Sequence, residues 1–237
     1  MDGLDAHLRW VVAAPIYAAA YVLAAFVFWQ MARRRGMAGD VTARIMAAGL
    51  VGGLAGANLL QLVATGLPGK TIEGGIVGGW LAVIWMKRRL GIVRPTGDLF
   101  ALAIPAGESI GRIACFVGGC CYGKAARVAW AVHDHGAMRH PAQLYLSLAA
   151  AICFAVLLFV ERRRMLPENG LFYLGGILFC IDRFVVEFFR DVSAPALGMT
   201  LAQLGCVAGM LFFAYKLVEL VAYVPRIAVS TLIQTDG

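Results

Sequence analysis

Long apolar stretches alternate with short polar stretches along most of this sequence. A membrane-spanning helix needs about 20 mostly apolar residues, and roughly seven stretches approach that length. The pattern therefore predicts an all-α polytopic membrane protein with about seven transmembrane helices. The predicted helices cover residues 10–32, 45–65, 72–86, 98–119, 142–160, 170–189 and 198–224.

The composition is typical of a membrane protein. Hydrophobic residues make up 61% of the 237 positions and charged residues only 15%, whereas a soluble domain is about 45–50% apolar. Because no polar stretch is long enough for a separate soluble domain, we expect residues 1–237 to form a single integral membrane domain. The first apolar stretch is too long for a signal-peptide core and ends in arginines, so we expect it to be retained as a helix.

The basic residues indicate how the helices are oriented. A net charge of +7 is also found in nucleic-acid-binding proteins, but here most Lys and Arg lie in the first, third and fifth loops. Cytoplasmic loops carry an excess of Lys and Arg. We therefore expect an N-terminus outside the cytoplasm and a C-terminus inside it. The loop residues that set this orientation are Arg33, Arg34, Arg35, Arg44, Lys87, Arg88, Arg89, Arg94, Arg162, Arg163 and Arg164.

This orientation places the unusual polar residues on the outer side of the membrane. Glu73 lies at the start of the third helix, Arg112 in the outer half of the fourth, and His140 just before the fifth. Asp182 and its charged neighbours lie near the outer end of the sixth helix. A charge at the bilayer centre costs about 2.5–3.5 kcal/mol on insertion scales and usually marks function. We therefore expect a functional site facing outward.

Two sets of charged residues have helical spacing. Glu108 and Arg112 are four positions apart, and Arg183, Glu187 and Arg190 are separated by four and three, so each set shares a helix face. One interpretation is internal ion pairing that holds the fourth and sixth helices together. For Arg112 we favour phosphate binding, because its guanidinium can donate two parallel hydrogen bonds and small residues beside it leave room.

Glu73 and His140 are the candidate proton acceptors. Glu73 precedes Gly74 and Gly75, which allow close backbone approach, and its carboxylate either caps the helix or acts as a general base. His140, in the stretch "RHPAQLY", is either a proton shuttle or a solvated loop histidine. The six cysteines lack the paired spacing of a zinc site, so we expect no metal and no organic cofactor.

Four motifs together resemble the prolipoprotein diacylglyceryl transferase family. They are "GGIVGG" at 74–79, "GRIACFVGGCCYG" at 111–123, "RHPAQLY" at 139–145 and "DRFVVEFFRD" at 182–191, within a resemblance that covers roughly residues 66–192. The resemblance implies an enzyme of the bacterial cytoplasmic membrane. Such an enzyme moves the diacylglyceryl group of phosphatidylglycerol onto the thiol of a prolipoprotein's lipobox cysteine, releases glycerol phosphate and has an outward-facing site.

The resemblance also implies roles for individual residues. Arg112 matches the family's essential arginine and is expected to bind the lipid phosphate, helped by Arg183 or Arg190. Either Glu73 or His140 is then expected to take the proton of the acceptor. The residues expected to contact the substrate are Arg183, Arg190, Glu108, Glu187, Tyr145, Gln143, Gly74 and Gly75.

The sequence departs from the family's pattern at several positions. Glu73 stands where the family usually has histidine, Ala114 and Cys115 where it often has Gly-Asn, and Leu146 where it usually has glutamate. The outer loop is also short. We therefore expect a divergent member with an altered acceptor. The alternative is a non-catalytic phospholipid-binding or transport protein that retains the phosphate pocket.

Overall fold

A computed structural model describes residues 6–67, 69, 71–192 and 198–235. Side chains are described within these ranges except at residues 6, 64, 65, 73 and 224–235. Each of the seven apolar stretches forms a helix in this described part of the chain, as predicted. The elements are α1 (Ala6–Arg34), α2 (Asp40–Thr65), α3 (Ile72–Arg89), α4 (Gly97–Gly118), β1 (Val132–Asp134), β2 (Ala137–Arg139), α5 (Ala142–Arg162), α6 (Gly170–Glu187) and α7 (Leu201–Thr235).

Five of these helices, α1, α2, α4, α5 and α7, are long and apolar enough to cross a membrane. The protein is therefore a mostly helical, multi-pass membrane protein. Helices α3 and α6 fall short of the same criterion because ionisable side chains lie within their 18 residues. These side chains are Glu73, Lys87, Arg88 and Arg89 in α3, and Asp182, Arg183 and Glu187 in α6.

A small β-hairpin lies between α4 and α5, within a fold that is otherwise helical and consistent with the predicted all-α class. Strands β1 and β2 pair antiparallel, with Val132 opposite Arg139 and Asp134 opposite Ala137. The two-residue turn between them, His135–Gly136, has positive φ at both positions, 48° and 73°. Such turns match the twist of a hairpin and favour glycine. The sequence pattern missed the hairpin because strands of three residues are too short to show an alternation.

The described chain divides into two compact units. In the unit of residues 28–95, helices α2 and α3 pack through glycines spaced four apart. A Cβ atom on Gly56 would meet the carbonyl oxygen of Gly74, and one on Gly78 would meet that of Gly52. Small residues at this spacing let two membrane helices approach closely. Gly74 is thus required for contact with α2, whereas a Cβ on Gly75 would have ordinary room, 3.6 Å from the oxygen of Gly53.

The other unit, residues 1–27 and 96–237, contains α4 to α7 and the first part of α1. At one end of its helices the buried carboxylate of Asp98, in the first turn of α4, accepts hydrogen bonds from the backbone N–H groups of Asn169 (2.7 Å) and Phe172 (2.9 Å). It therefore caps α6 from another helix, in place of Asn169, whose own side chain makes no cap.

Helix α7 begins with a capping box formed by Thr200 and Gln203. The backbone N–H of Gln203 donates to Thr200 Oγ1 (3.1 Å), and the backbone N–H of Thr200 donates to Gln203 Oε1 (2.9 Å). This reciprocal pair satisfies two N–H groups that a helix start otherwise leaves unpaired. The Thr200 hydroxyl also donates to Glu187 Oε1 (3.1 Å), which joins the start of α7 to the end of α6.

The glycine contact between α2 and α3 predicts that alanine is not tolerated there. Gly56→Ala and Gly78→Ala should lower the unfolding temperature in detergent, because forcing an extra methyl into a packed contact costs about 1–3 kcal/mol. Gly205→Ala is the matched control, since a Cβ at this helical glycine meets nothing within 4 Å. Thermal unfolding followed by circular dichroism checks this prediction. Equal midpoints for all three variants would contradict the packing described here.

The capping box predicts a hydroxyl requirement at position 200. Thr200→Val removes the oxygen that caps α7 and the bond to Glu187. Loss of such a cap typically costs about 0.5–2 kcal/mol, so the unfolding temperature should fall. Thr200→Ser retains the oxygen and should stay close to wild type. If valine and serine gave the same midpoint, the hydroxyl would not be stabilising this junction.

Candidate active site

The glycine-rich loop after α4 brings three segments of the chain together at one end of the unit of residues 1–27 and 96–237 (the second unit). A Cβ atom on Gly123 would lie 2.7 Å from the carbonyl oxygen of Phe189 and would also meet that of His140. Only glycine allows both segments to come this close. The backbone N–H of Lys124 donates to Phe189 O (2.8 Å), and that of His140 donates to Lys124 O (3.0 Å). The residues after α4, before α5 and after α6 are therefore adjacent.

Arg112 and Glu108 form an ion pair on one face of α4, as their spacing predicted. Arg112 donates from Nε (3.0 Å) and Nη2 (2.7 Å) to the same oxygen, Glu108 Oε1. Both side chains are largely buried, at 13% and 11% exposed. Asp182 of α6 interacts electrostatically with both of them. Within the described part of the chain Arg112 makes no further hydrogen bond, so Nη1 is left to bind a ligand.

Glu187 holds two arginines at the end of α6. Its Oε2 accepts from Nη1 of Arg183 and from Nη1 of Arg190 (3.1 Å), and its Oε1 accepts from Thr200. Glu187 is 4% exposed and Arg183 is 7% exposed. The Nε atoms of Arg183 and Arg190 are buried and find no hydrogen-bond partner among the described residues. Two guanidinium groups on one carboxylate leave an excess positive charge and unsatisfied donors here.

Three free cysteines lie at the end of α4 and in the loop that follows it. The Tyr17 hydroxyl lies 3.1 Å from Cys115 Sγ, and Cys120 Sγ donates to the carbonyl oxygen of Cys115 (3.7 Å). Hydrogen bonds from the Cys115 and Cys120 thiols, together with the charges of Arg190 and Arg112, lower the pKa of Cys121 below its usual range. Cys121 thus lies within electrostatic reach of both arginines. No group of cysteine, histidine and carboxylate side chains in the described ranges could hold a metal ion.

His140 lies in an aromatic cluster beside this loop. Its Nδ1 is 3.1 Å from the Tyr145 hydroxyl oxygen, which also accepts a hydrogen bond from Trp130 Nε1 (2.7 Å). The His140 ring makes edge contacts with Tyr145 and Phe189, with centroids 6.0 Å and 5.2 Å away. These contacts fix the ring plane of His140 between the start of α5 and the end of α6.

Two residues of the "RHPAQLY" stretch hold the surrounding loops in place. The buried amide of Gln143 donates from Nε2 to the carbonyl oxygen of Cys120 (2.7 Å). Arg139 donates from Nη1 to Gly123 O (3.2 Å) and Asp191 Oδ2 (2.7 Å), and from Nε to Asp134 O (3.1 Å). Arg139 therefore connects the hairpin, the loop after α4 and the segment after α6.

The structure brings together most of the residues predicted for the site. The second unit contains every predicted site residue of α4, α5, α6 and the adjoining loops: Glu108, Arg112, His140, Gln143, Tyr145, Arg183, Glu187 and Arg190. Glu73, Gly74 and Gly75 belong to the unit of residues 28–95, and the Glu73 side chain lies outside the described residues. Sequence reasoning missed Thr200, Gln203 and Trp130. The spacing Thr-x-x-Gln could have identified the first two as a capping box.

Comparison with known proteins gives one family. A family model described as prolipoprotein diacylglyceryl transferase matches residues 7–218. A phosphatidylglycerol–prolipoprotein diacylglyceryl transferase of Geobacter sulfurreducens is 31% identical over 225 residues, which cover 86% of this chain and 83% of the relative. Proteins of the same name from Idiomarina loihiensis and Sinorhizobium medicae are 36% and 39% identical. Those two alignments cover 57% and 60% of this chain but only 54% and 50% of the relatives.

The match extends well beyond the four short motifs, along nearly all of the helices that form the arginine cluster. The chain belongs to the prolipoprotein diacylglyceryl transferase family and is a transferase-like membrane enzyme.

Proposed function

We propose that this protein transfers the diacylglyceryl group of phosphatidylglycerol to the thiol of a prolipoprotein's lipobox cysteine, or to another acceptor at the outer face of the bacterial cytoplasmic membrane. Glycerol phosphate is the leaving product. The names of the relatives support the donor and the acceptor class. The observation that carries the proposal is the pair formed by the buried Arg183 and the partly buried Arg190. They share Glu187, and their Nε–H groups have no partner in the described chain.

A lipid phosphate matches the electrostatics of this cluster. A buried charge without a counter-charge is unfavourable, and one carboxylate cannot neutralise both Arg183 and Arg190. Guanidinium groups form parallel hydrogen bonds with phosphate oxygens, so a phosphodiester would supply the missing charge and acceptors. Arg112 contributes its remaining Nη1 donors from α4. Phosphatidylglycerol enters between the helices from the bilayer, with its phosphate held by these side chains.

The transfer is a substitution at the glyceryl carbon that bears the phosphate. The acceptor sulfur forms a bond to this carbon, the carbon–oxygen bond breaks, and its electron pair stays on the phosphate oxygen. Arg112, with Arg183 or Arg190, stabilises the charge that develops on that oxygen. The thiol proton passes to a general base, for which Glu73 and His140 are the candidates.

The basic loops support an orientation of the helices, and the internal ion pairs of α6 support its crossing of the membrane. We propose that all seven helices cross the membrane, with the N-terminus outside and the C-terminus in the cytoplasm. The charges of α6 that reduce its hydropathy are largely paired within the protein, as membrane charges usually are. This orientation places Asp98 at the cytoplasmic end and the arginine cluster with the hairpin at the outer end.

A second candidate is a non-catalytic protein that binds or transports phospholipid. Glu73 in place of the family's histidine favours it, because a retained phosphate pocket needs no proton acceptor. The two candidates differ in their product. A binding protein retains the lipid intact, whereas a transferase releases glycerol phosphate.

Arg112→Ala should abolish turnover while the protein stays folded. Losing one stabiliser of a developing negative charge costs about 10²–10³ in kcat, so release of glycerol phosphate should fall by at least about 100-fold. The measurement uses radiolabelled phosphatidylglycerol and purified protein in lipid, with and without a lipobox peptide. Lys216→Gln is the matched control, because it removes a helix ion pair that lies on an exposed face of α7.

The four outcomes separate the candidates. Peptide-dependent release that is lost in Arg112→Ala supports the transferase. Release without peptide assigns another acceptor, water included. No release from wild type with lipid still bound favours the binding protein. Wild-type activity in Arg112→Ala would overturn the phosphate-binding role.

A further inference from the structure

Trp130, Tyr145 and His140 form a continuous hydrogen-bonded chain at the start of α5. Trp130 Nε1 lies 2.7 Å from the Tyr145 hydroxyl oxygen, and that oxygen lies 3.1 Å from His140 Nδ1. Trp130 itself is 62% exposed. Exposed tryptophans of membrane proteins typically lie at the headgroup level, where the phosphate of a phospholipid also lies.

The chemistry of the three groups gives this chain a direction. An indole N–H can only donate, so the Tyr145 oxygen accepts from Trp130. A hydroxyl that accepts one hydrogen bond becomes a stronger donor, because successive bonds polarise one another. A Tyr145 hydroxyl that accepts from Trp130 can then give its single proton to His140 Nδ1, which lies 3.1 Å away. A neutral imidazole that accepts at Nδ1 carries its own proton on Nε2.

We propose that Trp130 is a positioning residue that acts through Tyr145 on the tautomer of neutral His140. In this tautomer Nδ1 carries no proton and Nε2 is protonated. His140 then donates a hydrogen bond from Nε2 to the leaving phosphate. This rests on the transferase function proposed above. His140 in this state has no free nitrogen lone pair with which to take the acceptor's proton.

The surroundings of His140 support a role in which its ring donates a hydrogen bond to an anion. Phe189, whose ring packs against His140, directly precedes Arg190, and the backbone of His140 packs on Gly123. His140 therefore adjoins the end of α6 at which the two arginines share Glu187. No group in the described ranges hydrogen-bonds His140 Nε2. The Nε2–H group is thus left for a ligand.

The tautomer can be measured without substrate. Protein labelled with ¹⁵N-histidine is studied in lipid nanodiscs at alkaline pH. Two-bond ¹H–¹⁵N correlation spectra separate a bare ring nitrogen from a protonated one. His140→Gln assigns the His140 signals among the four histidines. We expect a bare Nδ1 in wild type and a rise of the other tautomer in Trp130→Phe and Tyr145→Phe. Trp80→Phe, another exposed tryptophan, is the matched control and should leave the signals unchanged.

The kinetic counterpart compares two amide substitutions. The glutamine amide places an N–H near the position of Nε2, whereas the asparagine amide occupies the position of Nδ1. Because losing one donor to a developing negative charge costs about 10²–10³ in kcat, kcat for His140→Gln should exceed that for His140→Asn by about tenfold or more. A general base has no amide substitute, so equal and large losses in both variants would overturn the proposal.

The two measurements separate this proposal from the transferase function itself. A wild-type His140 with a bare Nε2 would overturn the proposal even in a fully active enzyme. An unchanged tautomer in Trp130→Phe would overturn the role of Trp130. If wild type released no glycerol phosphate, the transferase function and the donor role would fail together, while the NMR signals would still decide whether Trp130 sets the tautomer.

Discussion

The hydrogen bonds and ion pairs of the Glu187 carboxylate hold together the part of the protein where α6 ends and α7 begins. Glu187 is 4% exposed and accepts hydrogen bonds from Arg183, Arg190 and Thr200. Removing one partner of a buried ion pair typically costs about 3–5 kcal/mol, and here a single carboxylate serves two guanidinium groups. Because Arg190 also pairs with Gly123 and Thr200 begins α7, this one side chain fixes the end of α6, the loop after α4 and the start of α7.

Close backbone approach provides the second constraint, and it acts separately in each compact unit. In the unit of residues 28–95 it joins α2 to α3 through Gly56 and Gly74. In the other unit it occurs at Gly123, where a side chain would collide with the carbonyl oxygens of both His140 and Phe189. These glycines are therefore needed, before any role in a site, for close packing of the backbone. At Gly123 the packing places His140 next to the residue that precedes Arg190, so the same glycine also assembles the candidate site.

Features set by neighbouring positions along the chain were predictable from the sequence, and features set by distant ones were not. The lengths of the apolar stretches predicted the seven helices. The spacing of four predicted that Arg112 and Glu108, and likewise Arg183 and Glu187, share a helix face, where they form ion pairs. The contacts of Trp130 and Arg139 join segments that no periodicity relates. Strands of three residues carry too little pattern to predict the hairpin. The Thr200 capping box was local and identifiable, but its bond to Glu187 was not.

The arginine cluster connects the stability of this end of the protein with the lipid binding proposed above. Arg183, Arg190 and Glu187 together carry one excess positive charge in a largely buried setting. Phosphatidylglycerol brings one phosphate charge and an uncharged glycerol, which matches this excess. A zwitterionic phospholipid brings the same phosphate with an ammonium group, which would restore an unpaired positive charge beside the guanidinium groups. In the function proposed above, charge balance therefore favours an anionic headgroup. The carboxylate that holds the helices together also limits the excess charge to the amount that one phosphodiester neutralises.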